Sequence, residues 1–159
     1  MGCARLEAEV YPDPRVSQLI EKQFVPVRVH ARENADEFKR LGERFGSQWT
    51  PTVLVLDSKG VERHRIEGFL PLDDFLPQLK LGLAHAAFGQ GKFTDAERWF
   101  RDVVEQHPDS DAAAEGLYWA GVSKYKGSGD ATALGETARQ FTERYRDTPW
   151  AKKASIWAG

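Results

Sequence analysis

The chain has 159 residues, 41% of them hydrophobic and 29% charged, with a formal net charge of -2; this suits one ordinary core or two small units and offers nucleic acid no concentrated basic face. Its longest apolar run, TVLVL at 52–56, falls far short of the roughly 20 residues that span a bilayer, so no membrane partner is expected. One cysteine, Cys3, cannot close an internal disulfide, and His30, His64, His85 and His107 are scattered without ligand spacing, so neither a metal nor another cofactor is called for.

The N-terminus carries no apolar stretch of the kind a signal peptide needs, which places the chain as given in the cytoplasm, although a longer precursor could be exported. The opening MGC lacks the Ser or Thr that N-terminal acylation wants at position 6, where Leu6 stands.

From residue 4 to about 23 the apolar positions Leu6, Val10, Val16, Leu19 and Ile20 predict a helix, broken or restarted at YPDP by Pro12 and Pro14. FVPVRVHA at 24–31 alternates Val25, Val27 and Val29 with other residues and predicts a strand, weakened by Pro26. Phe38, Leu41 and Phe45 then recur at helical spacing, with Asn34 placed as N-cap and Gly46 as C-cap. TVLVLD at 52–57 reads as a strand covered on both faces. The turn SKG leads into VERHRIEGF at 61–69, and the two runs predict a β-hairpin. Leu72, Phe75, Leu76 and Leu79 open a further helix.

The remainder is helical and periodic. Comparing 107–121 with 145–159 aligns Asp109 with Asp147, Ala113 with Ala151, and the run Trp119-Ala120-Gly121 with Trp157-Ala158-Gly159, all at an offset of 38. The same offset pairs Gly91 with Gly129 and Val103 with Phe141. A fixed period of this size predicts stacked helical hairpins, because each pair of helices leaves an apolar face that a neighbour must cover. Trp99, Trp119, Trp150 and Trp157 fall among alanines at helical spacing and are expected to pack in that stack.

QWTPTVLVLDSKGVERHRIEGFL at 48–70 resembles the second half of a thioredoxin-fold domain, with Thr50-Pro51-Thr52 matching the cis-proline motif of that family. The stretch CARLEAEVYPDPRVSQLIEKQFVPVRV is similar to the helix and strand that follow the family's C-x-x-C pair. On this resemblance Cys3 takes the place of the second, resolving thiol, and the first cysteine would lie one residue before Met1. The resemblance further implies that the backbone of Thr50 pairs with a bound peptide, and Trp49 beside it is placed to line a groove. The strand that precedes the motif in the family, central to its sheet, has no counterpart here. Either the sequence begins inside a longer gene or the sheet is completed by something else, such as a partner chain.

Leu83, Ala84, Ala87, Gly91, Phe93, Ala96, Phe100 and Pro108 fall where tetratricopeptide (TPR) repeats put their packing residues, so the second half resembles that family.

The expected architecture is therefore α/β plus α: a thioredoxin-like layer over 1–79, lacking its first strand, followed over 80–159 by TPR-like helical hairpins with a capping helix. The expected function is that of a protein-binding module with a monothiol relic, Cys3, as the single catalytic candidate and Trp49, Thr50 and Pro51 as the peptide-binding residues. Protein or peptide partners are expected, including a second copy of the chain joined through the incomplete sheet. The alternative is a thiol-disulfide oxidoreductase of the thioredoxin family whose first cysteine lies upstream. Arg5, Glu7 and Glu9 stand near the thiol as residues that could tune it. A helix N-terminus favours the thiolate form of any thiol placed there.

Overall fold

Asp13 and Pro14 divide the N-terminal helical run. In the computed structural model, which describes residues 1–159, the chain opens with helix α1 (Gly2–Arg5), which widens into a π-helical turn over Leu6–Val10. Helix α2 (Pro14–Gln23) then restarts with Pro14 at its first position, where a missing N–H costs nothing, and the Asp13 carboxylate accepts from the Arg15 amide at 2.9 Å. Helix α3 (Ala35–Phe45) ends on Gly46, whose φ of 64° lies in the left-handed region that glycine tolerates. Asn34 precedes α3 without capping it through its side chain; its Oδ1 accepts instead from the His30 amide at 3.0 Å.

The sheet has two antiparallel strands, β1 (Thr52–Leu56) and β2 (Glu62–Glu67), with Val53 opposite Ile66 and Val55 opposite His64. Asp57 builds the connection: its Oδ1 accepts from the amides of Lys59 and Val61 at 2.8 and 3.0 Å, and its Oδ2 from Arg63 Nε at 2.9 Å.

Two expectations are corrected here. Residues 24–30 do not form a strand: no other strand pairs with them, and Val25 and Val27 are 93% and 81% exposed. Alternation marks which face a residue takes, but a strand also needs a neighbour to complete its hydrogen bonds. Nor is β1 covered on both faces, since Val55 alone among its residues is buried and Leu56 is exposed.

The chain divides into two compact units, Met1–Leu76 and Pro77–Gly159. In the first, the buried apolar residues are Leu6 and Val10 from the π-helical turn, Val16 from α2, Val55 and Ile66 from the hairpin, and Phe75 and Leu76 from the start of helix α4 (Leu72–Gly89). This is a mixed α/β arrangement built on one small sheet.

The second unit is wholly helical. After α4 come α5 (Phe93–Gln106), α6 (Ala112–Ser128), α7 (Thr132–Glu143) and α8 (Pro149–Ala154), closed by a 3-10 turn at Ser155–Trp157. Gly91 and Gly129, one period apart, both take a left-handed conformation, at φ of 76° and 74°, where the chain turns between helices. One core cluster gathers Leu81, Ala84, Ala96, Phe100, Val103, Ala112 and Ala120, with Trp99 and Trp119 packed on it. A second gathers Val104, Ala114, Leu117, Phe141 and Ala154, against which Trp150 and Trp157 pack. Small residues make that closeness feasible: Gly116 lies so near α5 that a Cβ would sit 3.0 Å from the Phe100 carbonyl oxygen. No helix is long and apolar enough to cross a membrane.

Candidate functional site

The Thr50–Pro51 peptide bond is cis. Pro51 is buried, and the bend around it is tied at two points: the Gly68 amide donates to the Pro51 carbonyl at 2.8 Å, and the Thr52 hydroxyl donates to the Trp49 carbonyl at 2.7 Å. These bonds fix the residues on either side of Thr50. Thr50 itself is exposed and contributes neither its amide nor its carbonyl to the backbone hydrogen bonds of the bend. Trp49 is 68% exposed, a large ring left in water beside an available stretch of backbone.

The N-terminal helix comes directly onto this bend. A Cβ built on Gly2 would lie 2.8 Å from Pro51 Cδ, 3.5 Å from Pro51 Cγ and 3.6 Å from Phe69 Cβ. Glycine is required for that approach, because any side chain would occupy the volume of the proline ring. Cys3, the next residue, is exposed and free. The fold thus places the Gly2-Cys3 turn and the proline bend together at one end of the hairpin.

The charged neighbours of the thiol are engaged elsewhere. Arg5 and Glu9 pair with one another across one helical turn, at 3.1 and 3.0 Å, and the Arg5 guanidinium lies over the Phe69 ring, 4.2 Å from its centroid. Glu7 accepts from Arg28. Tyr11, half-buried and packed edge-to-face on Phe75 at 5.9 Å, has its phenol pushed above the usual tyrosine range. Burial is the main cause, the negative charge of Cys3 adds to it, Arg28 opposes it, and Glu7 adds a further push. Tyr11 therefore belongs to the electrostatic surroundings of the thiol, a role the sequence shows only as part of the helix-breaking YPDP.

Gly2 and Phe69 are the other residues that sequence reasoning did not single out as parts of the site. The signal for Gly2 was its position beside Cys3, and for Phe69 its place at the end of the second hairpin run. Both become site residues through long-range packing. Chemically, the arrangement offers an exposed thiol, an exposed indole and a bend whose central backbone can pair with an extended chain.

A family model described as a thioredoxin-like domain matches residues 1–82. No curated protein matches the chain, and no solved structure does.

Proposed function

The chain belongs to the thioredoxin-like domain family, and from that premise we propose that it acts as a protein-binding module that takes up an extended peptide at the Trp49-Thr50-Pro51 bend, with Cys3 the relic of a two-cysteine site. The observation that carries this reading is the exposed, unengaged backbone of Thr50 beside the exposed Trp49 ring. An extended peptide would gain main-chain hydrogen bonds at Thr50 and apolar contact on the indole. The helical hairpins of the second unit are TPR-like on this reading, and their role is to recruit or hold the protein that supplies the peptide.

The test uses reduced, S-carboxymethylated insulin B chain as an unfolded probe. Trp49→Ala is expected to weaken capture roughly tenfold, the loss of about 1.4 kcal/mol typical of an aromatic contact residue, while Cys3→Ser leaves capture unchanged. Loss of capture on Cys3→Ser, or no effect of Trp49→Ala, contradicts the reading. Insulin reduction is expected to show no dithiol turnover.

The exposure of Cys3 favours one second reading, a monothiol redox protein. Its thiolate would attack the glutathione sulfur of a glutathionylated protein, forming a disulfide between Cys3 and glutathione and releasing the substrate's cysteine thiolate; a glutathione thiolate would then attack the glutathione sulfur of that disulfide, regenerating the Cys3 thiolate and releasing glutathione disulfide. Alkylation of Cys3 near neutral pH at the rate of a simple thiol would rule that reading out.

A further inference from the structure

A cleft of about 440 Å³ opens in the second unit between two loops that lie one period apart in the sequence, 107–111 and 145–149. The loops are built alike. The Ser110 hydroxyl donates to the His107 carbonyl at 2.8 Å, and at the matching position the Thr148 hydroxyl donates to the Tyr145 carbonyl at 2.6 Å. The Tyr145 phenol then ties one loop to the other, donating to the Pro108 carbonyl at 2.6 Å. Tyr145 has a φ of 60° and is the one non-glycine residue in the left-handed region. A side chain held in that conformation is strained, and such strain gathers at functional sites.

The cleft has aromatic and proline walls and an acidic rim. Trp150 and Tyr145, both half-buried, line it together with Pro108 and Pro149. Asp109 and Asp111 line it as exposed residues, and neither carboxylate enters an ion pair or a hydrogen bond. Asp111 stands just before α6, where an aspartate ordinarily caps a helix, yet its side chain makes no capping bond. Both charges are thus left over from folding. Two full negative charges outweigh the roughly half positive charge at the N-terminus of each adjoining helix, α6 and α8. No basic residue lines the cleft: Arg144 and Lys153 lie over the Tyr145 and Trp150 rings, 4.8 and 4.2 Å from the centroids, without entering it.

We propose that this cleft takes an arginine side chain presented by a partner protein. A guanidinium is flat and weakly hydrated, stacks on aromatic rings and donates in its own plane, so it suits aromatic walls under a carboxylate rim better than an ammonium does. Walls of proline and indole pack its alkyl stem and offer a metal cation no oxygen ligands. A free small cation is poorly held, because exposed ion pairs contribute little by themselves; the chain on either side of the arginine must supply the remaining contacts. This inference rests on the reading that the helical unit holds a protein, and it does not depend on the proline bend.

The probe is the capped pentapeptide Ala-Leu-Arg-Leu-Ala, titrated into the full chain and followed by NMR at the Trp150 indole N–H, which is identified by its loss in Trp150→Phe. A saturable shift is expected, with affinity falling about tenfold or more when citrulline replaces arginine or when Asp109→Asn and Asp111→Asn are combined. Neither aspartate has a partner in the fold, so the double variant stays folded. Lysine in place of arginine is expected to bind more weakly than arginine and more tightly than citrulline. No indole shift, equal affinity for the citrulline or lysine peptide, or unchanged affinity in the double variant overturns the proposal. N-acetylarginine amide binding as tightly as the pentapeptide overturns it too, since the ligand would then be a free small molecule. Trp49→Ala leaves the titration unchanged if the cleft is the site, which keeps a failure here separate from one at the bend; loss of the shift in that variant moves the peptide to the bend and overturns the proposal.

Discussion

Gly2 and Pro51 are in such close approach that a single carbon added to Gly2 would lie 2.8 Å from Pro51 Cδ. Helix propensity alone favours alanine over glycine by about 1 kcal/mol within a helix. Here the overlap opposes it, because Pro51 is buried and its carbonyl accepts from the Gly68 amide. Overpacking of this kind costs about 1–3 kcal/mol. Gly2→Ala is therefore expected to lower the urea midpoint, and Gly2→Val to lower it further. An unchanged or raised midpoint for Gly2→Ala would mean that the helix and the bend move apart freely.

The local parts of this arrangement are legible in the sequence. Pro14 marks a helix restart, Gly46 a helix stop, and SKG a turn between two strand-forming runs, because each acts through its own backbone or its nearest neighbours. The period of 38 places Gly91 and Gly129 at matching left-handed turns for the same reason. What sequence alone does not give is the company a segment keeps. Val25, Val27 and Val29 alternate as a strand does, yet nothing in that pattern says whether a neighbouring strand is present. Likewise Cys3 and Pro51 are each visible as candidates, but the glycine contact that joins their surroundings arises between residues far apart in the chain.

Tyr11 gives an alkaline prediction. Its phenol is raised in the folded protein, chiefly by burial and then by the charge of Cys3. A group whose folded value exceeds its unfolded value of about 10 contributes stability below that pH and loses it as pH rises through the folded value. Thermal unfolding temperature is thus expected to fall above about pH 10, with a smaller fall in Tyr11→Phe. Identical alkaline profiles for the two proteins would contradict the assignment.

Asp57 gives the opposite sign. Two amides and Arg63 hold its carboxyl below the usual aspartate range, with the Val61 amide the largest contributor. A depressed folded value supplies stability that is present above about pH 4 and is lost as pH falls through the folded value. Asp57→Asn is expected to be less stable at neutral pH and to show a flatter acid limb, measured as unfolding temperature between neutral pH and pH 3. If the wild-type and variant curves run parallel, the carboxylate does not hold the hairpin.

The second unit depends on a contact of the same kind as that at Gly2, between α6 and α7. A Cβ on Gly121 would meet Thr137 Oγ1 at 2.1 Å and Thr137 Cβ at 2.8 Å, and both residues are buried. The Thr137 hydroxyl donates to the Ala133 carbonyl at 2.8 Å, so its rotamer is held and it cannot turn aside cheaply. Gly121→Ala is expected to cost about 1–3 kcal/mol by overpacking. Thr137→Ala removes the nearest oxygen but leaves its Cβ in place, so the double variant Gly121→Ala with Thr137→Ala should recover part of that loss and not all of it. A double-mutant cycle on denaturant unfolding reads the coupling directly. Additive losses would show that the two helices separate to admit the methyl group, and that their close approach at Gly121 is not what fixes the spacing of the stack.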